Sequence, residues 1–167
     1  MICKAQKNCG PDVTDWLINQ MRQNWDDPEI KAIRDKGRWL RYTGPFGSGF
    51  FLFQLVLFRE KVKEHGPWDF KNSIDFISDS CPTEGCERTV TFCGRCVDYD
   101  VPGNIHYGFV GRAAGFRRWL LLNRASANQS GGVDPHHDVV AITIGMDLVD
   151  NRQDFCVLVE SRADLLN

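Results

Sequence analysis

The chain has 167 residues, of which 43% are apolar and 25% charged, and a net charge of −2. That length suits one domain with a real core, and the composition is that of an ordinary globular protein. The balance argues against the broad basic face that nucleic-acid binding normally uses, so no nucleic-acid partner is expected.

The most apolar run, Phe50 to Phe58, is far shorter than the ~20 residues that cross a bilayer, so no membrane partner is expected either. The opening MICKAQKN lacks an apolar leader core, which leaves an intracellular protein or a mature, exported one. Seven cysteines favour the oxidising option. The expected pairing joins Cys81, Cys86, Cys93 and Cys96 among themselves, with Cys156 tied to Cys3 or Cys9. The competing reading is a zinc site on the same four central thiols.

Taken in order, Gly10-Pro11-Asp12 is a turn into a helix that Asp12 can cap, with Val13, Trp16, Leu17 and Met21 on one face. Asp27-Pro28-Glu29 is a cap, a proline at the first helical position and an acidic second position, and it opens a helix carrying Ile30 and Ile33 inward. Asp12, Asp15, Asp26, Asp27 and Glu29 are therefore caps and solvated charge. A third helix runs from about Ser48 to Glu64. Its first half is apolar all round, which predicts the buried central helix.

That helix stops at His65-Gly66-Pro67. Asp69 follows between Trp68 and Phe70, and apolar rings around a carboxyl disfavour its charge, the setting of a general acid. A further helix is expected from Phe70 to Ser78. The alternation through Arg88–Phe92 and Cys96–Val101 around Gly94-Arg95 predicts a β-hairpin that delivers Asp98 and Asp100 to one face. Asp98 to Phe116 then combines acids, His106, Tyr107, Asn104 and Arg112 with four glycines. It reads as a strand end, a Pro102-Gly103 turn and a glycine-rich connection forming the wall of an active site.

From Gly115 a helix presents Phe116, Trp119, Leu120 and Leu122 on an apolar face beside Arg117, Arg118 and Arg124. Asp134-Pro135 starts another, with Asp138 on the same side as Asp134. His136 and His137 point ~100° apart and are expected as surface residues rather than metal ligands. The C-terminal segment from Asp154 ends in a short helix.

Four strings, CGPDVTDWL, GPWDFK, YDVPGNIHYGFVGRAAGF and DPHHD…AITIGMDL, together resemble the polymorphic toxin type 44 domain, found at the ends of bacterial toxins and as secreted fungal proteins. The resemblance runs from about Cys9 to Leu148 and departs from the family pattern in the Cys81–Cys96 excursion and in Phe70, where many relatives carry His. It implies a secreted antibacterial effector, and its fungal members imply muramidase activity on bacterial peptidoglycan. The positions it carries over are Trp68, Asp69, Lys71, Asp100, Asn104, His106, Tyr107, Gly108, Arg112, Asp134 and Asp138.

The order of a buried helix, an acid at its end, a hairpin with further acids and more helices predicts an α+β, mostly helical, lysozyme-like fold. One catalytic domain over residues 1–167 is expected, monomeric, with the Cys-rich hairpin excursion at about 81–101. Glycoside hydrolysis uses two carboxyl groups. Asp69 is the expected acid, Asp100 its ionised partner, and Asp138 the reserve for either role. His106 and Tyr107 would orient the carboxylates or hold sugar, alongside Trp68, Lys71, Asn104, Arg112 and Asp134, with no metal or cofactor. The alternatives are a metal-independent ribonuclease toxin, with His106 as base or acid and Arg112 and Lys71 on the phosphate, and a non-catalytic wall-binding module.

Overall fold

The computed structural model of the chain describes residues 9–40, 47–70, 89–127, 136–151, 154–162 and 165–166. Helices α1 (Thr14–Trp25), α2 (Pro28–Leu40) and α3 (Gly47–Val62) come first. Strands β1 (Thr89–Phe92) and β2 (Arg95–Asp98) follow, then helices α4 (Val101–Ala113), α5 (Arg118–Ala127), α6 (His136–Asn151) and α7 (Phe155–Glu160). Among the described residues the class is as expected: α+β, mostly helical, with a two-stranded antiparallel sheet.

The first helices start where their sequences ask them to. Asp12, expected to cap α1, accepts the Thr14 N–H at 2.9 Å, but the capping position is Val13, which makes no side-chain cap bond. At the start of α2, Asp27 Oδ1 accepts the N–H groups of Glu29 and Ile30 at 2.8 and 3.2 Å. A side-chain cap satisfies an otherwise orphaned donor and contributes ~1 kcal/mol. Asp27 also receives the Lys61 ammonium at 2.9 Å, which ties the start of α2 to the end of α3. Burial works against the charge on Asp27, but Lys61 and the two N–H donors outweigh it and hold its carboxyl below the usual range. Leu17, Met21, Ile30 and Ile33 are buried, as their spacing predicts.

The hairpin is a junction for both ends of the chain. Its strands pair from Thr89 opposite Asp98 to Phe92 opposite Arg95. The two-residue turn is Cys93-Gly94, one residue earlier than expected, with φ of 49° and 71°, as a type I′ turn requires. Alongside β1 runs the Gly10–Val13 segment: Thr91 N–H donates to the Pro11 carbonyl, and Val13 N–H to that of Thr91, both at 3.0 Å.

Two disulfides lock this junction, Cys9–Cys96 and Cys93–Cys156, between residues 87 and 63 apart. The expected pairing of the central cysteines among themselves is corrected here. The hairpin lies between the N-terminal segment and α7, where Phe92 meets Phe155 edge-on at 5.2 Å, so its cysteines reach outward to each neighbour. The four-thiolate zinc reading falls with it, because Cys93 and Cys96 are both bridged. Loops of that length make each bridge worth about 4 kcal/mol on a chain-entropy account. Cys3, Cys81 and Cys86 lie outside the described residues, as does all but the first residue of the helix expected from Phe70 to Ser78.

A second correction concerns the stretch after the hairpin. It is helix α4, not a strand end with a glycine-rich connection. Asp100 stands at the N-cap position and Pro102 lies within the first turn, where its missing N–H costs nothing. The central buried helix is α4 rather than α3, for Val101, Ile105, His106, Val110 and Ala113 are all enclosed. By contrast, α3 leaves Leu52, Phe53 and Val56 more than half exposed.

Two glycines explain how α4 can carry so much. A Cβ on Gly108 would stand 2.1 Å from the Ile142 carbonyl oxygen, and one on Gly145 would stand 1.9 Å from that of Ile105. Backbone therefore touches backbone. Asn104 meets Asp138, Gly108 meets Ile142 and Arg112 meets Asp150, so residue numbers rise together and the helices run parallel. Both N-termini emerge at one end, beside the last residue of β2.

Candidate functional site

That shared end is where the acids gather. Asp98 is exposed at the end of β2, and Asp100, half-buried, precedes α4 with its Oδ1 shielded from solvent. Asn104, in the first turn of α4, donates its amide to Asp138 Oδ1 at 2.7 Å. Asp138 is only 4% exposed, and His137 Nε2 lies 3.2 Å from the same oxygen. One ligand atom each from Asp98, Asp100 and His137 lies within 4.8 Å of the others. The result is a compact group of three carboxylates, one imidazole and one amide, carried by two segments far apart in sequence. Two helix N-termini supply partial positive charge next to it, which suits acidic side chains.

This group can do two kinds of chemistry. A buried carboxyl hydrogen-bonded beside more exposed ones is the arrangement that proton transfer to and from a substrate needs. Asp98, Asp100 and His137 also form a donor set that could hold a divalent cation, through two carboxylate oxygens and a ring nitrogen.

The expected site residues divide. Asp100, Asn104 and Asp138 come together. Lys71 and Asp134 lie outside the described residues. Asp69 sits in the turn after α3, where its Oδ2 accepts the His65 N–H at 2.8 Å and helps close a turn in which His65 has a φ of 61°. Trp68 is buried, with the Lys61 ammonium 4.7 Å from the centre of its ring.

His106 is a core residue. It is 1% exposed, with Nε2 2.9 Å from the Asn24 amide nitrogen and its ring packed against Phe70 at 4.3 Å and Trp68 at 5.7 Å. Burial pushes its pKa down to about 3, so it is neutral at ordinary pH. Tyr107 faces another way, its hydroxyl donating to the Leu121 carbonyl at 3.1 Å and its ring tilted against Phe58. Arg112 lies eight residues beyond Asn104, ~12 Å along the helix. There it grips Asp150 through Nε at 3.1 Å and donates Nη1 to the Phe116 carbonyl at 2.6 Å.

Two members of the group were not expected as site residues, His137 and Asp98. The sequence held a signal for each. His137 is adjacent to a carboxylate at a helix start, and Asp98 stands two residues before Asp100 at the mouth of the same segment. Neither signal separates a site residue from a solvated one without knowing that the N-termini of α4 and α6 converge.

No curated protein and no solved structure matches the chain. A family profile, bacterial toxin 44, matches residues 57–151. The matched region takes in the Asp69 turn, the hairpin and α4 to α6, and it leaves out the CGPDVTDWL string at the start. It holds every described member of the acidic group and more than half of the chain: this protein belongs to the bacterial toxin 44 family.

Proposed function

We propose that the chain is an exported muramidase of the kind suggested for fungal members, a glycoside hydrolase that cuts bacterial peptidoglycan as a monomer and without a cofactor. The observation that carries the reading is the pairing at the α4/α6 end. Asp138 is buried and takes the Asn104 amide, while Asp100 stands half-buried across from it beside His137. Glycoside hydrolysis uses two carboxyl groups in different surroundings.

In this reading Asp100 passes its proton to the leaving glycosidic oxygen as the C1–O bond breaks. Asp138, which takes the Asn104 amide beside His137, is the second carboxyl. It either attacks C1 or takes the proton of the water that does, according to whether the carboxyls stand ~5 Å or roughly 6.5–9.5 Å apart across bound sugar. Asp98 lines the open rim. Asp69, the acid expected from sequence, is placed second because its carboxylate is engaged in its own turn.

Export accords with the two disulfides, which persist in oxidising compartments. Among the described residues no helix is long and apolar enough to cross a membrane. The ribonuclease alternative has less support, since the His106 ring is enclosed and Arg112 is engaged with Asp150 at the other end of α4. The test is a suspension of bacterial cell walls. Falling turbidity with release of reducing ends, and RNA left intact, is the expected result. Walls left intact while RNA is degraded would overturn the reading, and so would adsorption without turnover.

A further inference from the structure

The sequence of helix α3 is almost wholly apolar from Phe50 to Phe58, yet Leu52, Phe53 and Val56 are 60, 55 and 53% exposed. An apolar helix left open in this way marks a surface that something covers. Beside it, between α3 and α5, opens a cavity of about 410 Å³ with Tyr107 of α4 in its wall. Apart from two arginines, the rest of the lining is aliphatic or aromatic, including Leu55, Phe58, Leu120 and Leu121. The Tyr107 hydroxyl is already engaged with the Leu121 carbonyl. Charge enters through Arg59 and Arg124, both exposed, and neither guanidinium is taken up by a salt bridge among the described residues.

We propose that this cavity binds a single-chain anionic amphiphile, a long-chain fatty-acid carboxylate, with its tail between α3 and α5 and its head on Arg59 and Arg124. The volume lies within the ~300–1,000 Å³ of small-molecule sites. It is too small for a partner helix, which is ~10 Å across. The chemistry selects the head group: two guanidiniums at an apolar cavity offer charge-assisted hydrogen bonds to a carboxylate and repel a cation. None of the lining residues belongs to the acidic group at the α4/α6 end, so the site stands apart from the proposed hydrolysis.

The test titrates the intact protein with dodecanoate, below its micelle concentration, in a calorimeter, with dodecyltrimethylammonium as the matched cation. Saturation at one dodecanoate per chain is expected, with much weaker binding of the cation. The R59Q/R124Q double variant should bind dodecanoate at least about tenfold more weakly, as loss of charge-assisted contacts implies. Both side chains are exposed, and an unchanged melting temperature establishes that the variant folds; should it melt earlier, R124Q alone gives the same comparison. Non-saturating uptake, equal affinity for the two head groups, or full affinity in the arginine variants would each overturn the proposal. Wall-clearing activity plays no part in the readout.

Discussion

The parallel pair α4 and α6 has two ends, and they use carboxylates for opposite purposes. At the C-terminal end Asp147 and Asp150 meet arginines. Arg118 Nη1 reaches Asp147 at 2.6 Å and Asp150 at 3.1 Å, Arg162 reaches Asp147 at 2.5 Å, and Arg112 reaches Asp150 at 2.5 Å. Burial opposes charge on Asp150, but the two arginines prevail and hold its carboxyl below the usual range. At the N-terminal end Asp138 takes an amide and lies beside an imidazole, with Asp98 and Asp100 close by. Arginine clamps give an acid a structural role, since charge-assisted hydrogen bonds occupy its oxygens. Asp138 instead takes an amide beside an imidazole, a group that can itself move a proton.

The strongest way to break this comparison is Asp138→Asn. The proposed hydrolysis should fall by roughly 10²–10⁴-fold, the usual worth of a positioned acid or base. Stability should hardly move, because asparagine still offers an oxygen to the Asn104 amide. Wall-clearing at the parent rate by a folded Asp138→Asn protein would end the functional reading of that end.

Between the two ends lies His106, and it sharpens the comparison through pH. Its pKa is about 3 in the folded chain, against 6.5 for a free imidazole. The unfolded chain therefore binds the extra proton between those values. Stability is fully present above pH 6.5 and declines as pH falls toward 3, by about 3 kcal/mol at pH 4. Urea unfolding at stepped pH measures this, and His106→Gln should flatten the slope between pH 6.5 and 4. The carboxylates of Asp27 and Asp150, whose folded pKa values lie below the ordinary 3.8, lose their contributions only as pH drops further. An unchanged slope in the glutamine variant would remove His106 from the core account.

The smallest effect belongs to the clamped end. Asp147→Ala strips both arginines of a buried acceptor and should cost about 1–2 kcal/mol. The arginines are 39 and 30% exposed, so solvent screens part of the interaction. Denaturant melts give the loss, and specific activity of the folded fraction should equal that of the parent. A fall in specific activity there would mean that the two ends are not separable.

Local signals were legible where the chain speaks to its own neighbours. Asp27-Pro28 started α2, the alternation around Gly94 made a hairpin, and Ile30, Ile33, Leu17 and Met21 went inside. Signals that required a partner misled. The apolar run at 50–58 looked like the buried helix because periodicity cannot say how many faces the rest of the chain will cover. Gly108 looked like loosened backbone because its reason, contact with Ile142 of α6, is not local. His106 looked catalytic by type, and a histidine does not announce whether aromatic rings will close over it.

By itself the sequence determined the class of fold, most helix starts, the hairpin and the family, all of which rest on contacts within a few residues or on strings of residue types. Tertiary structure alone decided which cysteines bridge, which helix lies at the centre, and which acids stand together. Those outcomes depend on close approach between distant segments. Here that approach is backbone against backbone at Gly108 and Gly145, which aligns two helix starts and so brings Asp138 to Asp100.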